Sequence, residues 1–224
     1  MLTEMPADTL LLDFDGLICD TERAAHRSWE ILYDRHGLVF PDEVWNAMAG
    51  RASGEAYAAQ DLAGRLGRAL SAAELAERRA EKARLAAAEP LRPGVARLLE
   101  SAARRDIRCA VVSSSDRHWV LGHLERLTVR ARFTEVVTGE QVEARKPAPD
   151  LYLRALGLLG AGPETSLAVE DSAVGVAAAK AAGLRCVAVP GSRGTRPAVA
   201  AADLVLDSLE QLDVPRNTAK VASA

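Results

Sequence analysis

Aromatic side chains, cysteines, long apolar runs and a surplus of either charge are scarce in this 224-residue sequence, and each scarcity closes off a class of protein. Three cysteines, Cys19, Cys109 and Cys186, cannot all pair within one chain, and none stands in a Cys-x-x-Cys or histidine-spaced metal pattern. Reduced, mostly buried thiols are expected. No apolar run reaches the ~18 to 20 residues that cross a bilayer, and the opening MLTEMPADTL lacks the basic and apolar regions of a signal peptide. With 28 Lys plus Arg against 31 Asp plus Glu, the net charge of −3 gives no general attraction to nucleic acid or anionic lipid. The expectation is a cytoplasmic monomer without nucleic-acid or membrane partners. There is no internal repeat and no low-complexity linker.

What the chain does have is 49% hydrophobic and 26% charged residues, enough for one large or two small domains. Only 4% of residues are aromatic, so the core should be aliphatic and closely packed, which suits helices on a sheet better than a β-sandwich. Residues 9–12 form a short apolar run that ends in Asp13-Phe14-Asp15-Gly16, a buried strand emptying into a loop. From residue 21 to about residue 90 the pattern is helical, with turn signals at 37–41 and 50–54. Within it Ser71-Ala-Ala-Glu74 matches a capping box and predicts helix over 74–85, whose Arg78, Arg79, Lys82 and Arg84 read as a solvated face rather than an anion-binding patch.

Beyond Pro93-Gly94, Val95, Leu98, Leu99, Ala102 and Ala103 make one apolar helical stripe. Strand-like runs at 109–112, 135–138, 166–169, 186–189 and 203–206 then alternate with helical stretches, including 151–159 and 173–182. Parallel strands need crossover connections, so this alternation predicts an α/β fold: a three-layer core with a mostly parallel, Rossmann-like sheet. A helical domain, residues 19–88, interrupts that core, which comprises 1–18 and 89–224.

Open parallel sheets bind ligands beyond the carboxyl ends of their strands. Just past the predicted strands stand Asp13 and Asp15, Ser113, Lys146, and Glu170 with Asp171. Taken singly each has a bland reading: a solvated Asp-x-Asp-Gly turn, a serine helix cap, a loop lysine, an acidic helix start. Their shared placement at strand ends outweighs those readings. Gathered carboxylates repel one another unless a cation neutralises them, and oxygen ligands without a suitable His or Cys point to a hard ion such as Mg²⁺, hence to phosphoryl chemistry.

Asp13-Phe-Asp-Gly16 with Cys19-Asp-Thr-Glu22, Val111-Val-Ser113-Ser-Ser, Lys146-Pro-Ala-Pro-Asp150, and Val169-Glu-Asp-Ser172 followed by Gly175 resemble the four ordered motifs of the haloacid dehalogenase superfamily. The likeness spans almost the whole chain, and the helical insert after the first motif resembles the β-phosphoglucomutase-like branch with a small cap. The resemblance implies a Mg²⁺-dependent phosphatase acting on a small phosphorylated metabolite, a sugar phosphate, with Asp13 as nucleophile and Asp15 as general acid and base. It also implies that Ser113, Ser114 and Lys146 hold phosphate oxygens. Gly16 would let the backbone pass close to the phosphate. Asp13, Asp171 and the Asp15 main-chain carbonyl would ligate the ion, with Glu170 completing or supporting that shell.

The wording departs from the mutases at one place. Where they carry Asp-Thr-x-x-x-His, Asp20-Thr21 leads here to Ala25, and His26 comes one position late, a rotation of ~100° on a helix. A structural role for His26 is expected, which weakens the mutase alternative. Arg51 is a candidate substrate contact, and Glu22 either faces the leaving group or caps the next helix. The cap should open and close on hinges near 17–20 and 86–92. A non-catalytic metabolite-binding or partner-binding protein is the remaining alternative, and the intact Asp13 and Asp15 argue against it.

Overall fold

A computed structural model describes residues 2–48, 54–191 and 196–217. The chain divides into two compact units, one made of Met1–Cys19 with Pro90–Ala224 and the other of Asp20–Glu89.

The first unit is built on a sheet of six strands: β2 (Thr9–Leu12), β3 (Arg108–Val112), β4 (Glu135–Val137), β5 (Ser166–Glu170), β6 (Arg185–Ala188) and β7 (Leu204–Val205). They lie in the order β4-β3-β2-β5-β6-β7, and every pairing is parallel. Alternate residues point to opposite faces of a strand, and the burial follows that rule. Leu10, Leu12, Val111, Val136 and Val169 join one core with helices α5 (Val95–Arg104) and α6 (Arg117–Arg126). Leu11, Ala110, Val112, Val137 and Ala168 join another with α7 (Asp150–Leu159) and α8 (Ala173–Ala181). Helices thus cover both faces, giving the three layers of an α/β core. A short parallel pair, β1 (Thr3–Glu4) with β8 (Leu212–Asp213), forms a separate ribbon.

The chain runs from β2 outward through β3 to β4, then returns to place β5 on the other side of β2. The order therefore switches direction between β2 and β5, where ligand crevices form in open α/β sheets. Register sets what stands there. Leu12 pairs with Val169, and the Asp13 amide donates to the Val169 carbonyl at 3.0 Å, so the acids following β2 meet those ending β5.

The second unit holds α1 (Thr21–Asp34), α2 (Asp42–Met48), α3 (Gly54–Leu66) and α4 (Ala72–Ala87). The capping box at Ser71 and Glu74 is present in full. The expected aliphatic core describes the α/β unit better than this one, because the scarce aromatics concentrate here: Trp29, Tyr33, Phe40 and Trp45 pack with Leu32, Val44 and Leu62. His26 is buried among them, its ring 5.0 Å from that of Trp45 and 5.3 Å from that of Phe40, a packing position. The solvated reading of the α4 basic residues needs one correction. Arg79 and Arg84 are exposed, but Arg78 is buried, its guanidinium 4.7 Å above the Trp29 ring and 2.8 Å from Glu55. A long apolar stem and a planar cation let arginine cover an indole face that lysine or water would cover less well.

Candidate active site

The first predicted strand end delivers Asp13 into the interior at 7% exposure, and the third motif delivers Lys146 to the same place. Far from being a solvated loop residue, Lys146 is buried. Its ammonium donates to Asp13 Oδ1 at 2.6 Å, to Glu170 Oε1 at 2.6 Å and to the Val112 carbonyl at 2.8 Å, so all three of its protons are used. Glu170 is fully buried at the end of β5. It accepts as well from the Tyr152 hydroxyl and, at 3.3 Å, from the Asp171 amide. Tyr152 on α7 was not anticipated from sequence; it occupies an apolar helical position, and only its hydroxyl reveals the second role.

The helix-cap readings of the motifs have a structural answer. Ser172, not Glu170 or Asp171, caps α8 by accepting from the Gly175 amide, which leaves both acids for the site. The N-cap position of α6 is Asp116 and makes no side-chain cap bond, so Ser113 is not its cap. The α1 cap is Asp20, which accepts from the Arg23 amide, and Glu22 lies in the first turn beyond it. Arg51 lies outside the described residues.

One carboxylate oxygen each from Asp13, Glu170 and Asp171 fall within 4.8 Å of one another. Burial pushes the Asp13 carboxyl well above the usual carboxylate range; the Lys146 ammonium opposes this, and the Glu170 and Asp15 carboxylates add to it. Burial also opposes the charge on Lys146, but Asp13 and Glu170 overcome it and hold the ammonium above the usual lysine range. Three carboxylates against one ammonium leave two negative formal charges uncompensated in a buried place. A divalent cation matches that deficit, and an all-oxygen donor set suits a hard one.

Two glycines make the close packing possible. At Gly175 a Cβ would fall on the Glu170 carboxylate, and at Gly191 it would lie 3.0 Å from Asp171 Oδ2. Gly16, directly after the acidic pair, adopts φ +86°, where a side chain is strained. Its carbonyl accepts from the Arg92 guanidinium, which also reaches the Pro190 carbonyl at 3.2 Å.

Asp15 faces differently from Asp13. Its carboxylate is not part of the three-residue oxygen cluster: Oδ1 accepts from the Trp119 indole at 2.9 Å, and Oδ2 from the Ser115 hydroxyl at 2.6 Å and the Ser113 hydroxyl at 3.2 Å. The sequence reading assigned Ser113 to the site and passed over Ser115 and Trp119. The Ser-Ser-Ser run was the available signal for the first, and Trp119 had none beyond lying in the helix that follows. Ser114 Oγ is buried with no hydrogen-bond partner among the described residues.

Residues 7–183 match the family model described as haloacid dehalogenase-like hydrolase. YhcW of Bacillus subtilis is 40% identical over 182 residues, covering 81% of this chain and 82% of that protein. Hexitol phosphatase A of Escherichia coli is 34% identical over 219 residues, covering 92% and 93%. The crystal structure of CbbY from Rhodobacter sphaeroides in complex with phosphate superposes with a TM-score of 0.71 at 29% identity over 93% of this chain and 97% of that one. A second CbbY structure, of a variant in complex with xylulose-1,5-bisphosphate, gives a TM-score of 0.68 at 28% identity over 93% and 97%. No helix among the described residues is long and apolar enough to cross a membrane. A match over most of the chain, with acids, lysine and serines meeting at one sheet switch point, places this protein in the haloacid dehalogenase-like hydrolase family, as an enzyme of its phosphatase type.

Proposed function

We propose that the chain hydrolyses the phosphate ester of a small sugar-like metabolite through a phosphoaspartate on Asp13, with a divalent cation, Mg²⁺, held by Asp13, Glu170 and Asp171. The observation that carries this reading is the buried Lys146 bridging Asp13 and Glu170 at 2.6 Å to each, beside an oxygen cluster short of two positive charges. When bound, the cation would supply charge neutralisation of the carboxylates and of the phosphate.

The chain's own groups divide the remaining work. An Asp13 oxygen attacks phosphorus in line as the ester P–O bond breaks, and the departing alcohol oxygen takes a proton from Asp15. Water then attacks phosphorus, its proton passes to Asp15, and the bond from phosphorus to Asp13 breaks, releasing inorganic phosphate and restoring both acids. Lys146 opposes the burial that disfavours the ionised form of Asp13, and offers charge to phosphate oxygens. The buried Ser114 hydroxyl, without a partner among the described residues, is a donor such an oxygen would satisfy, since orphaned buried polar groups are costly.

The substrate class rests on what its relatives bear in name: a hexitol phosphatase, and a structure holding a pentulose bisphosphate. The mutase reading loses support from His26, which packs between Trp45 and Phe40 in an aromatic core. The test is phosphate release from a panel of hexitol, ketose and aldose phosphates. Turnover should require Mg²⁺, stop with EDTA and yield free phosphate; formation of an isomeric sugar phosphate without free phosphate would overturn the hydrolase assignment.

A further inference from the structure

The proposed chemistry asks Asp15 to give up a proton and take one back, yet its carboxylate is neither free nor part of the oxygen cluster. Among the described residues three side-chain donors converge on it, and they are not equivalent. Serine hydroxyls rotate and can donate or accept, so Ser113 and Ser115 at Oδ2 tolerate either protonation state of that oxygen. The indole N–H of Trp119 can only donate, so Oδ1 must remain an acceptor throughout.

The indole is itself fixed. Trp119 follows three exposed residues, 116–118, in the first turn of α6, but its ring turns back against the core. The His123 ring stands edge-on to it, 4.4 Å between centroids, and His123 in turn lies 5.8 Å from Phe14, the residue between Asp13 and Asp15. The His123 Nδ1 is 3.0 Å from the Arg126 guanidinium. Ser115 is braced as well, its amide donating to Ser113 Oγ at 3.0 Å. Apolar packing alone would be met by phenylalanine; what tryptophan adds is the donor aimed at Oδ1.

We infer that Trp119, seconded by Ser115, is a positioning residue that holds the Asp15 carboxylate in one orientation, away from the Asp13, Glu170 and Asp171 cluster, and leaves Oδ2 as the oxygen that carries the proton. This deepens the phosphatase reading and rests on it. Without the indole donor the carboxylate rotates among other partners, and the fraction of molecules with the acid in place falls. Such a loss lowers kcat, while substrate affinity, set by other groups, is kept.

The test combines spectroscopy with kinetics. The chain has three tryptophans, so its ¹H–¹⁵N spectrum carries three indole signals, and Trp119→Phe identifies one of them. Asp15→Ala should shift that signal and leave those of Trp29 and Trp45 in place. Trp119→Phe should lower kcat on the order of tenfold, what a hydrogen bond to a charged group is worth, with KM changed by less than about twofold. An unmoved indole signal, or an unaltered kcat in Trp119→Phe, overturns the inference. If Trp119→Phe does not fold, Ser115→Ala reads the same cradle without touching aromatic packing: a lower kcat at constant KM supports it and an unchanged kcat overturns it. An indole shift in a protein that releases no phosphate from any ester with Mg²⁺ would uphold the contact and overturn the phosphatase reading instead.

Discussion

Replacing Lys146 by methionine would delete one charge while keeping most of the buried stem. The side chain is 4% exposed and its ammonium bridges two carboxylates at 2.6 Å each. Removing one partner of a buried ion pair costs ~3 to 5 kcal/mol, because the survivor stays charged in a dry place. Two carboxylates are stranded here, so the upper part of that range, ~4 to 5 kcal/mol, is expected at pH 8 in EDTA. The cost should depend on pH with a definite sign. The folded Asp13 carboxyl sits above its ordinary value of 3.8, so its contribution to stability is full below that value and is lost as pH rises through the folded one. Lys146 opposes this shift, and its own contribution, raised above the ordinary 10.5, is constant across the acid and neutral range. Its removal therefore widens the gap between variant and wild type from pH 5 to pH 8. Urea unfolding followed by circular dichroism at both pH values, with EDTA and with Mg²⁺, measures it. Partial recovery by Mg²⁺ is expected, since the ion replaces lost positive charge. A gap equal at both pH values, or below about 1 kcal/mol at pH 8 in EDTA, would refute the charge argument.

Other consequences are open to direct measurement. Gly175→Ala places a methyl group where the Glu170 carboxylate lies, so thermal melting should show a loss of about 1 to 3 kcal/mol and calorimetric titration weaker Mg²⁺ binding. Arg78→Ala should destabilise the protein by about 2 kcal/mol in urea, through lost contact with Trp29 and Glu55, below the range for a fully buried pair because Glu55 is partly exposed. Arg79→Ala, at a side chain that is 59% exposed, should cost less than about 0.5 kcal/mol in the same assay. Ser71→Ala removes the α4 cap and should cost about 1 kcal/mol.

Much of the α/β unit was legible because parallel strands announce themselves as short apolar runs. Residues 9–12 coincide with β2, and the run at 166–169 falls one residue short of β5, the missing residue being Glu170. That shortfall is informative: a glutamate ends a strand at full burial only because Lys146 and Tyr152 meet it, and neither contact is visible in local sequence. The ribbon of β1 and β8 went unread, since it joins two-residue segments from opposite ends of the chain. Arg78 was misassigned because helical periodicity marks charged residues as solvent-facing and cannot foresee an indole beneath one of them. In the site, residue types at strand ends pointed to Asp13, Lys146 and Glu170, whereas Trp119 depends on how the first turn of α6 aims this one side chain back at Asp15, a matter of tertiary packing.

The central claim is that Asp13 carries the phosphoryl group in transit. Rapid acid quenching of the enzyme during turnover of a good sugar phosphate with Mg²⁺, followed by peptide mass spectrometry, should find one phosphoryl group on the peptide containing Asp13 and none when EDTA is present. Asp13→Asn should show neither the adduct nor phosphate release. A phosphoryl group on another peptide, or an Asp13→Asn enzyme that turns over at the wild-type rate, would contradict the mechanism.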